Sequence, residues 1–256
     1  MDSETTDTVE SVTKEVLRRL SESPAEYRKG PQSRTGRTQP RGPSDSVARD
    51  APRPVMRNGC LEVPVYTAVS VRHVHLCEEH VAVLFGVGHD LQLYHELYQK
   101  GYFAAQERLI VVGPKRALEE VRVLGPVRAF SQVELAGTDA LTIGLKLPVR
   151  TNGGQDGTQP ITLVGPQGAV RLPGGKGGGA FLARRHIHLS EVTAAEYGVK
   201  AGDLLDLRVD GPRPSTFHGI FVRTKAGWKT EVHIDTDEGN AAGIRSGQNG
   251  TLIIPQ

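Results

Sequence analysis

The heptapeptide Arg72-His73-Val74-His75-Leu76-Cys77-Glu78 recurs as Arg185-His186-Ile187-His188-Leu189-Ser190-Glu191, with five identities and one exchange of Val for Ile. A match of this length at two separate places indicates that a structural unit is duplicated. An extended, β-prone run over residues 61–71 precedes the first copy, and residues 179–184 precede the second copy less clearly. Each copy leads into a predicted helix, and Ser190 is a favourable N-cap for the second helix.

The rest of the globular part has short runs of strand-forming residues bounded by Gly, Pro or Asp. Strands are predicted over residues 109–112, 121–124, 133–135, 141–145, 161–164, 169–172, 204–209, 219–224, 230–234 and 251–254, and a helix over residues 115–120. Many short strands at this spacing favour small β-barrels or sandwiches. The 30 glycines and 16 prolines agree with a turn-rich chain.

Composition excludes several classes of protein. The 256 residues are 38% hydrophobic and 23% charged, as in soluble globular proteins. No run approaches the roughly 18 apolar residues of a membrane span, and the first 20 residues lack the apolar block of a secretory signal, so we expect a cytoplasmic protein. Because Cys60 and Cys77 are the two cysteines, metal chemistry would rest mainly on the nine histidines and the carboxylates.

The N-terminal region differs from the rest of the chain. Apolar residues follow one helix face over residues 9–20, which predicts a short amphipathic helix. Residues 24–58 carry eight basic and three acidic side chains, so the remainder of this +2 chain is slightly acidic and does not resemble a basic nucleic-acid-binding surface. The basic stretch reads as a flexible linker. The helix therefore either docks on a partner or folds back on its own domain.

The histidine pairs carry the chemistry that the sequence suggests. Residues i and i+2 of a strand project from the same face, so both histidines of each heptapeptide can reach one point. A single pair is more often polar strand surface, but two copies in a duplicated motif favour metal binding. Catalytic zinc sites usually have three protein ligands, which leaves each pair one ligand short. Glu134 and His233 lie in predicted strands and are candidates, although either could simply face solvent.

Residues 61–256 resemble the PduL-type phosphotransacylases (phosphate propanoyltransferases) of bacterial microcompartments. The motifs are V-P-V, R-H-V-H-L, F-A-A-Q-E, V-G-P-K, V-L-G-P-V-R, Q-V-E-L, T-D-A, A-R-R-H-I-H-L-S and H-I-D-T-D-E-G-N-A-A-G. The resemblance implies a mainly β fold of two β-barrel domains, related by internal duplication, with the active site at their interface. One barrel would comprise residues 59–71 with 184–256, and the other residues 72–183.

The resemblance also implies the residues of the site. One zinc ion would be bound by His73, His75 and Glu134, and a second by His186, His188 and His233. This agrees with two histidine pairs that each lack one ligand. Arg128, in the V-L-G-P-V-R segment, would bind phosphate, because a planar guanidinium fits an oxyanion with two parallel hydrogen bonds.

Two segments depart from the pattern or leave a choice open. The family usually has Ser where this chain has Cys77, and a thiolate there would be a soft zinc ligand, whereas a residue that only begins the helix would be inert. The glycine-rich residues 174–179, with Lys176, either lie near coenzyme A phosphates or form a plain mobile loop.

The implied activity is reversible conversion of propanoyl- or acetyl-coenzyme A and phosphate to acyl phosphate and coenzyme A. Two zinc ions would serve as Lewis acid and thiolate acceptor while Arg128 orients phosphate, so no protein nucleophile is needed. A dinuclear zinc hydrolase, which would activate water, and a non-catalytic zinc-stabilised protein with closed four-ligand sites are the alternatives.

The resemblance finally implies a location and partners. Residues 1–22 resemble an encapsulation peptide, joined to the globular part by the disordered basic linker that composition predicts over residues 23–58. We therefore expect the enzyme in the lumen of a bacterial microcompartment, bound to shell proteins. We expect a homo-oligomer and neither a nucleic-acid nor a membrane partner.

Overall fold

The computed structural model describes residues 10–18, 54–151 and 156–256. In these residues the chain is mainly β, with one closed six-stranded barrel and one curled half-barrel sheet. The predicted fold class, two barrel-like β domains with short helices, is confirmed. None of the helices in the described ranges is long and apolar enough to cross a membrane.

The strands in the described ranges are β1 (Val55–Arg57), β2 (Cys60–Ser70), β3 (His73–His75), β4 (Leu93–Glu96), β5 (Phe103–Val112), β6 (Ala117–Gly125), β7 (Gln132–Leu135), β8 (Val149–Arg150), β9 (Ile161–Val164), β10 (Ala169–Leu172), β11 (Ala180–Ala183), β12 (His186–Leu189), β13 (Leu204–Val209), β14 (Ser215–Thr224), β15 (Glu231–Asp235) and β16 (Gln248–Pro255). The α-helices there are α1 (residues 10–18), α2 (Glu78–Phe85), α3 (Gly137–Ile143), α4 (Glu191–Glu196) and α5 (Thr236–Ala242), with a 3₁₀ turn at Gly175–Gly177.

The first compact unit comprises residues 72–97 and 101–183 together with α1. Its sheet has the strand order β10-β9-β5-β6-β3-β7-β11-β8, and β4 pairs with β5. The short strand β3 lies between β6, to which it is parallel, and β7, to which it is antiparallel. Val74 and Leu76 of the first heptapeptide are fully buried in the core of this unit, together with Leu84 from α2.

The second unit comprises residues 54–71, 98–100 and 184–256. Its sheet runs β1-β2-β15-β12-β14-β13-β16, and pairing of β2 with β16 closes six of these strands into a barrel. Strand β12 lies between β14, parallel to it, and β15, antiparallel to it. Ile187 and Leu189 of the second heptapeptide are fully buried in the barrel core. Both copies therefore form a short strand between one parallel and one antiparallel neighbour.

The strand that precedes each heptapeptide lies in the sheet of the other unit. Strand β2 leads directly to β3 but pairs with β15 and β16 in the second sheet. Strand β11 leads to β12 but pairs with β7 and β8 in the first sheet. The two repeats have thus exchanged equivalent strands.

Two predicted elements are wrong. The sequence predicts a helix over residues 115–120, yet residues 117–120, Ala-Leu-Glu-Glu, belong to β6, whose pairing with β5 outweighs their local preference for a helix. Residues 141–145 alternate apolar and other residues like a strand, but most of them belong to α3. Gly144 ends that helix in a left-handed conformation, with φ of 83°, which glycine adopts without a steric penalty.

Helix α1 packs on the first unit. Val12 and Val16, on its apolar face, contact the buried side chains of Ile110, Val112 and Val164. The helix is therefore folded back on the first unit, one of the two arrangements that the sequence left open. The remainder of residues 1–22 and most of the predicted linker at residues 23–58 lie outside the described ranges.

Candidate metal centres

The histidines of each heptapeptide project from one face of a very short strand. Val74 lies between His73 and His75 and is directed into the core, and Ile187 is placed in the same way in the second copy. Because side chains alternate along a strand, burial of the central residue directs both histidines to the opposite face. The duplicated sequence thus forms two imidazole pairs, one in each unit.

The first cluster adds a carboxylate to its histidine pair. In the β3–β7 ladder His73 is directly opposite Glu134. Glu134 has one oxygen 3.5 Å from Nε2 of His73 and the other 3.7 Å from Nε2 of His75. Two ligands of a tetrahedral zinc ion, each about 2.0–2.1 Å from it, would be about 3.3 Å apart. The cluster therefore has nearly the spacing that a metal ion requires.

Neighbouring groups hold these donors in the protonation states that metal binding needs. Nδ1 of His75 donates to the Leu124 carbonyl at 3.2 Å, which leaves Nε2 to face Glu134. Burial holds the pKa of His75 well below its usual value, so the ring is neutral near pH 7. Burial opposes ionisation of Glu134, but its contact with His73 and attraction to the Arg128 guanidinium outweigh burial and hold the pKa of the carboxyl far below its usual range.

The second cluster consists of three histidines. In the β12–β15 ladder His186 is directly opposite His233. The ring centroids of His186, His188 and His233 lie 4.8–4.9 Å from one another, and their donor atoms all lie within 4.8 Å. Nδ1 of His186 donates to the Arg184 carbonyl at 2.9 Å, which fixes the tautomer of that ring.

His188 is the residue of the second cluster whose ring nitrogens most need a partner. Both of its ring nitrogens are buried and have no hydrogen-bond partner among the described residues. Burial and the neighbouring histidines hold its pKa far below the usual value, so the ring is neutral. A buried imidazole that leaves both nitrogens unpaired loses the free energy of hydration without compensation. A metal ion at this point would supply the missing partner.

Sequence reasoning missed three residues around the second cluster. The ring of Trp228 lies against that of His188, with centroids 4.1 Å apart and planes inclined by 37°. Glu231 is buried, its Oε2 lies 3.1 Å from Nε2 of His233, and it accepts a hydrogen bond from Gln99 at 2.9 Å. The Glu-x-His pattern in β15 was visible in the sequence, but only the strand pairing places the carboxylate opposite His188.

Each cluster has one carboxylate, but the two carboxylates occupy different positions of the repeat. The residue two positions before the third donor is Gln132 in the first cluster and Glu231 in the second. Gln132 donates to Glu134 at 2.8 Å. In the first cluster the carboxylate is therefore itself a candidate ligand, whereas in the second it lies beside three histidine donors, where it would offset the charge of a bound cation.

Arg128 lies near the first cluster in the β6–β7 connection. Its N–H donates to the Leu76 carbonyl at 2.8 Å. The side chain is half-buried, and its charge acts on both Glu134 and His75. Burial lowers the pKa of the guanidinium, and nearby Glu134 partly offsets that effect. The guanidinium forms no hydrogen bond or ion pair with the described residues, so it is available to an anion.

Cys77 belongs to the start of α2 and not to a donor set. Strand β3 ends at His75, and Cys77 occupies the N-cap position of α2. Its N–H donates to the Ser131 hydroxyl at 2.9 Å, and that hydroxyl lies 3.5 Å from the thiol sulfur. Within the described residues, the clusters that could hold a metal ion contain the six donors named above and not this thiol.

The glycine-rich segment at residues 174–179 is an ordered turn in the first unit. The N–H of Gly174 donates to the Gly178 carbonyl at 2.8 Å, and Gly175 donates to Thr158 at 3.1 Å. A side chain at Gly178 would place its Cβ 2.1 Å from the Ser131 carbonyl, so the backbone packs too closely there for any other residue. This packing explains one glycine without a ligand, and a role for Lys176 stays a prediction.

Both clusters fit a zinc ion by their chemistry. Histidine nitrogens and a carboxylate are typical zinc donors, three per ion leave one position open, and the second histidine nitrogen of two donors is held by a backbone carbonyl. The model of the phosphate propanoyltransferase family matches residues 66–245. The chain belongs to this family. The match covers both clusters and Arg128 and begins well after α1.

Curated relatives in the phosphate propanoyltransferase family support the assignment. A phosphate propanoyltransferase of Lachnoclostridium phytofermentans is 46% identical over 75% of this chain and 87% of its own length. One from Planctopirus limnophila is also 46% identical, over 75% of this chain and 78% of its own. One from Thermotoga maritima is 43% identical over 73% and 87%. The chain is therefore an enzyme of the phosphate acyltransferase class.

Proposed function

We propose that the chain reversibly transfers a propanoyl or acetyl group between coenzyme A and inorganic phosphate, with one zinc ion at each cluster. The observation that carries this proposal is the presence of two clusters of three converging donors in a chain of the phosphate propanoyltransferase family. The buried, unpaired nitrogens of His188 support metal binding independently of the family.

The proposed reaction requires stabilisation of negative charge on two atoms, the carbonyl oxygen and the sulfur of the thioester. A phosphate oxygen attacks the thioester carbonyl carbon, the new C–O bond forms, the C–S bond breaks, and coenzyme A leaves as a thiolate. Negative charge develops first on the carbonyl oxygen and then on sulfur. Zinc, when bound, supplies Lewis acidity toward a carbonyl oxygen and affinity for a thiolate.

In this proposal, side chains of the protein hold the metal ions and orient the phosphate. The six donors, His73, His75, Glu134, His186, His188 and His233, would hold the two ions. Arg128 would bind the phosphate with two parallel hydrogen bonds, so that binding fixes the orientation of the attacking oxygen. The partial burial of Arg128 strengthens this contact, because the guanidinium has already lost part of its hydration. No protein nucleophile takes part in this scheme.

An assay of coenzyme A release from propanoyl- and acetyl-coenzyme A, on protein whose zinc content has been measured, tests the proposal. Release that requires phosphate, in protein with about two zinc ions per chain, is the expected result. Release without phosphate, together with ester hydrolysis, would instead indicate a zinc hydrolase. Firmly bound zinc without any turnover would indicate a non-catalytic zinc-stabilised protein.

We also propose that residues 1–22 are an encapsulation peptide that recruits the enzyme to a microcompartment shell. The N-terminal residues lie outside the family match, and α1 has an apolar face. Because Val12 and Val16 contact the first barrel, shell proteins would have to compete with Ile110, Val112 and Val164 for that face. Self-association of the enzyme stays a prediction alongside this role.

A further inference from the structure

An ion pair joins the two strands of the first metal cluster. Arg72 immediately precedes His73, and Asp139 follows Glu134 by five residues. Nη1 of Arg72 is in hydrogen-bond contact with Oδ1 of Asp139. Asp139 is the third residue of α3, the helix that follows the strand of Glu134. The pair therefore connects the start of β3 to α3, the helix that follows β7.

The second cluster has an equivalent ion pair. Arg185 immediately precedes His186, and Glu238 follows His233 by five residues. Nε of Arg185 lies 2.7 Å from Oε1 of Glu238. Glu238 is the third residue of α5, and its other oxygen accepts from the N–H of Asp235 at 2.9 Å. One carboxylate thus caps the helix and binds the arginine.

The two repeats keep this pair although the residues around it differ. The third donor is Glu134 in one cluster and His233 in the other, and the helix N-cap is Ala136 in one and Asp235 in the other. The acid is Asp139 in the first pair and a glutamate in the second. Helix capping alone does not explain the arrangement, because Ala136 forms no side-chain cap. The shared feature is the connection between the histidine strand and the third-donor strand.

The position of each pair suggests what it does. Three residue pairs form each ladder, and in both the first histidine and the third donor are the opposed residues at the end nearest the ion pair. A shift of one residue in such a ladder would turn the third donor to the other face of the sheet. The ladder itself contributes few backbone hydrogen bonds against fraying at that end, and β6 and β14 add support only along the other edge of each histidine strand.

We propose that Arg72–Asp139 and Arg185–Glu238 are two copies of one positioning device, which locks the end of each ladder and so holds the third metal donor opposite the first histidine. The inference rests on the proposed binding of zinc at these clusters. It assigns the four residues no contact with substrate or metal. Their loss should accelerate release of the ion while the fold stays intact.

The second unit offers a closely matched control. Arg208 and Glu62 form an ion pair with two hydrogen bonds of 3.0 Å, away from the histidines. Its side chains are 35% and 18% exposed, against 34% and 18% for Arg185 and Glu238. Both pairs belong to the same barrel and have nearly equal exposure, but only Arg185–Glu238 links the two chain segments that carry the histidine donors.

The experiment measures zinc release from the full-length, zinc-loaded protein into the chromogenic chelator 4-(2-pyridylazo)resorcinol, with thermal unfolding in parallel. The variants are Arg185→Met, Glu238→Gln and their combination, compared with Arg208→Met and Glu62→Gln. We expect one of the two ions to leave about 10- to 100-fold faster in each of the first three, the size of effect seen for groups that orient metal ligands. The double variant should be no faster than the singles, and the control variants should release zinc within about twofold of wild type.

Glu238→Gln separates positioning from packing. Arg185 also lies over the Phe217 ring and donates to the His218 carbonyl at 3.3 Å, so its truncation disturbs β14 as well. The glutamine variant keeps those contacts and retains an oxygen that can cap α5. If Arg185→Met does not fold, Arg72→Met and Asp139→Asn in the first unit test the same prediction.

Two results separate failure of this inference from failure of the proposed function. Wild-type protein that holds two zinc ions, with Glu238→Gln and Asp139→Asn releasing them at the wild-type rate, would overturn the positioning role alone. Release accelerated equally by the Arg208–Glu62 variants would also overturn it, since any ion pair of this exposure would then have the same effect. Wild-type protein without firmly bound zinc would refute the metal-dependent function itself.

Discussion

Replacement of Arg128 by alanine should remove the phosphate-binding cation and leave both metal clusters in place. The guanidinium is half-buried and forms no hydrogen bond or ion pair with the described residues. The backbone contact from its N–H to the Leu76 carbonyl survives the truncation. The loss should therefore appear in phosphate binding and not in folding.

The geometry sets the size of the effect. Two charge-assisted hydrogen bonds to phosphate contribute about 1.5–3 kcal/mol each, so their loss costs about 3–6 kcal/mol of transition-state stabilisation. This corresponds to a decrease of about 10²- to 10⁴-fold in kcat/KM for phosphate. Arg128→Lys keeps the charge but not the planar pair of donors, so it should recover only part of the loss. The free energy of unfolding should change by no more than about 0.5 kcal/mol.

The assay follows phosphate-dependent release of coenzyme A at saturating acyl-coenzyme A, with zinc content and Tm measured on the same preparations. Arg116→Ala, an exposed arginine of the same unit, serves as the control and should match wild type. Phosphate kinetics in Arg128→Ala that equal those of wild type would refute the assignment. A parallel loss of zinc would show that the residue supports the metal cluster instead.

Further predictions concern the metal ions, the repeat, pH and the N-terminal helix. His73→Ala and His186→Ala should each lose about one zinc ion per chain and nearly all activity, which metal analysis and the release assay measure. Cys77→Ser should raise the free energy of unfolding by about 0.5–1 kcal/mol in denaturant titrations, and an unchanged midpoint would contradict this. The reason is that Ser190, at the equivalent position of the other repeat, caps its helix with a 2.9 Å hydrogen bond, whereas Cys77 forms no such bond. Metal-free protein should lose stability as pH falls through about 6.5, because burial lowers the pKa of His75 and His188 in the folded state and the unfolded chain takes up protons first. The loss should reach up to about 1.4 kcal/mol per pH unit per histidine, which chemical unfolding at pH 5 and pH 7 measures. Deletion of residues 1–22, or Val16→Asp, should leave kcat and zinc content intact and abolish co-purification with microcompartment shells, and retention of the variant in shells would show that the helix is not the targeting element.

The histidine pairs were predictable because their signal is local. Alternation along a strand places His73 and His75 on one face whatever the surrounding fold, and the duplicated heptapeptide doubles the evidence. The third donors, Glu134 and His233, are not predictable from a local pattern, because only strand pairing places them opposite the first histidines. They were reached through resemblance to a family and not through periodicity.

Other features depend on tertiary contacts that the sequence does not reveal. Glu231 resembles any charged strand residue until β15 pairs with β12. The partners in the Arg72–Asp139 and Arg185–Glu238 pairs lie more than 50 residues apart in the chain. Local preference also misled at residues 115–120, where helix-forming residues join β6 because β5 supplies a strand partner. In each case long-range pairing decides what the local pattern leaves open.

The exchange of strands between the repeats has a consequence for biosynthesis. Strand β2 is made more than 150 residues before its neighbours β15 and β16. Until then Val63 and Val65, buried in the finished barrel, have no core to enter, and most of the strand edge stays unpaired. The second barrel can therefore close only after residues 248–255 have been made, and a chain that stops before residue 248 would keep an open, aggregation-prone sheet edge. Strand β16 is thus a condition for a closed barrel, although no proposed metal donor lies beyond His233.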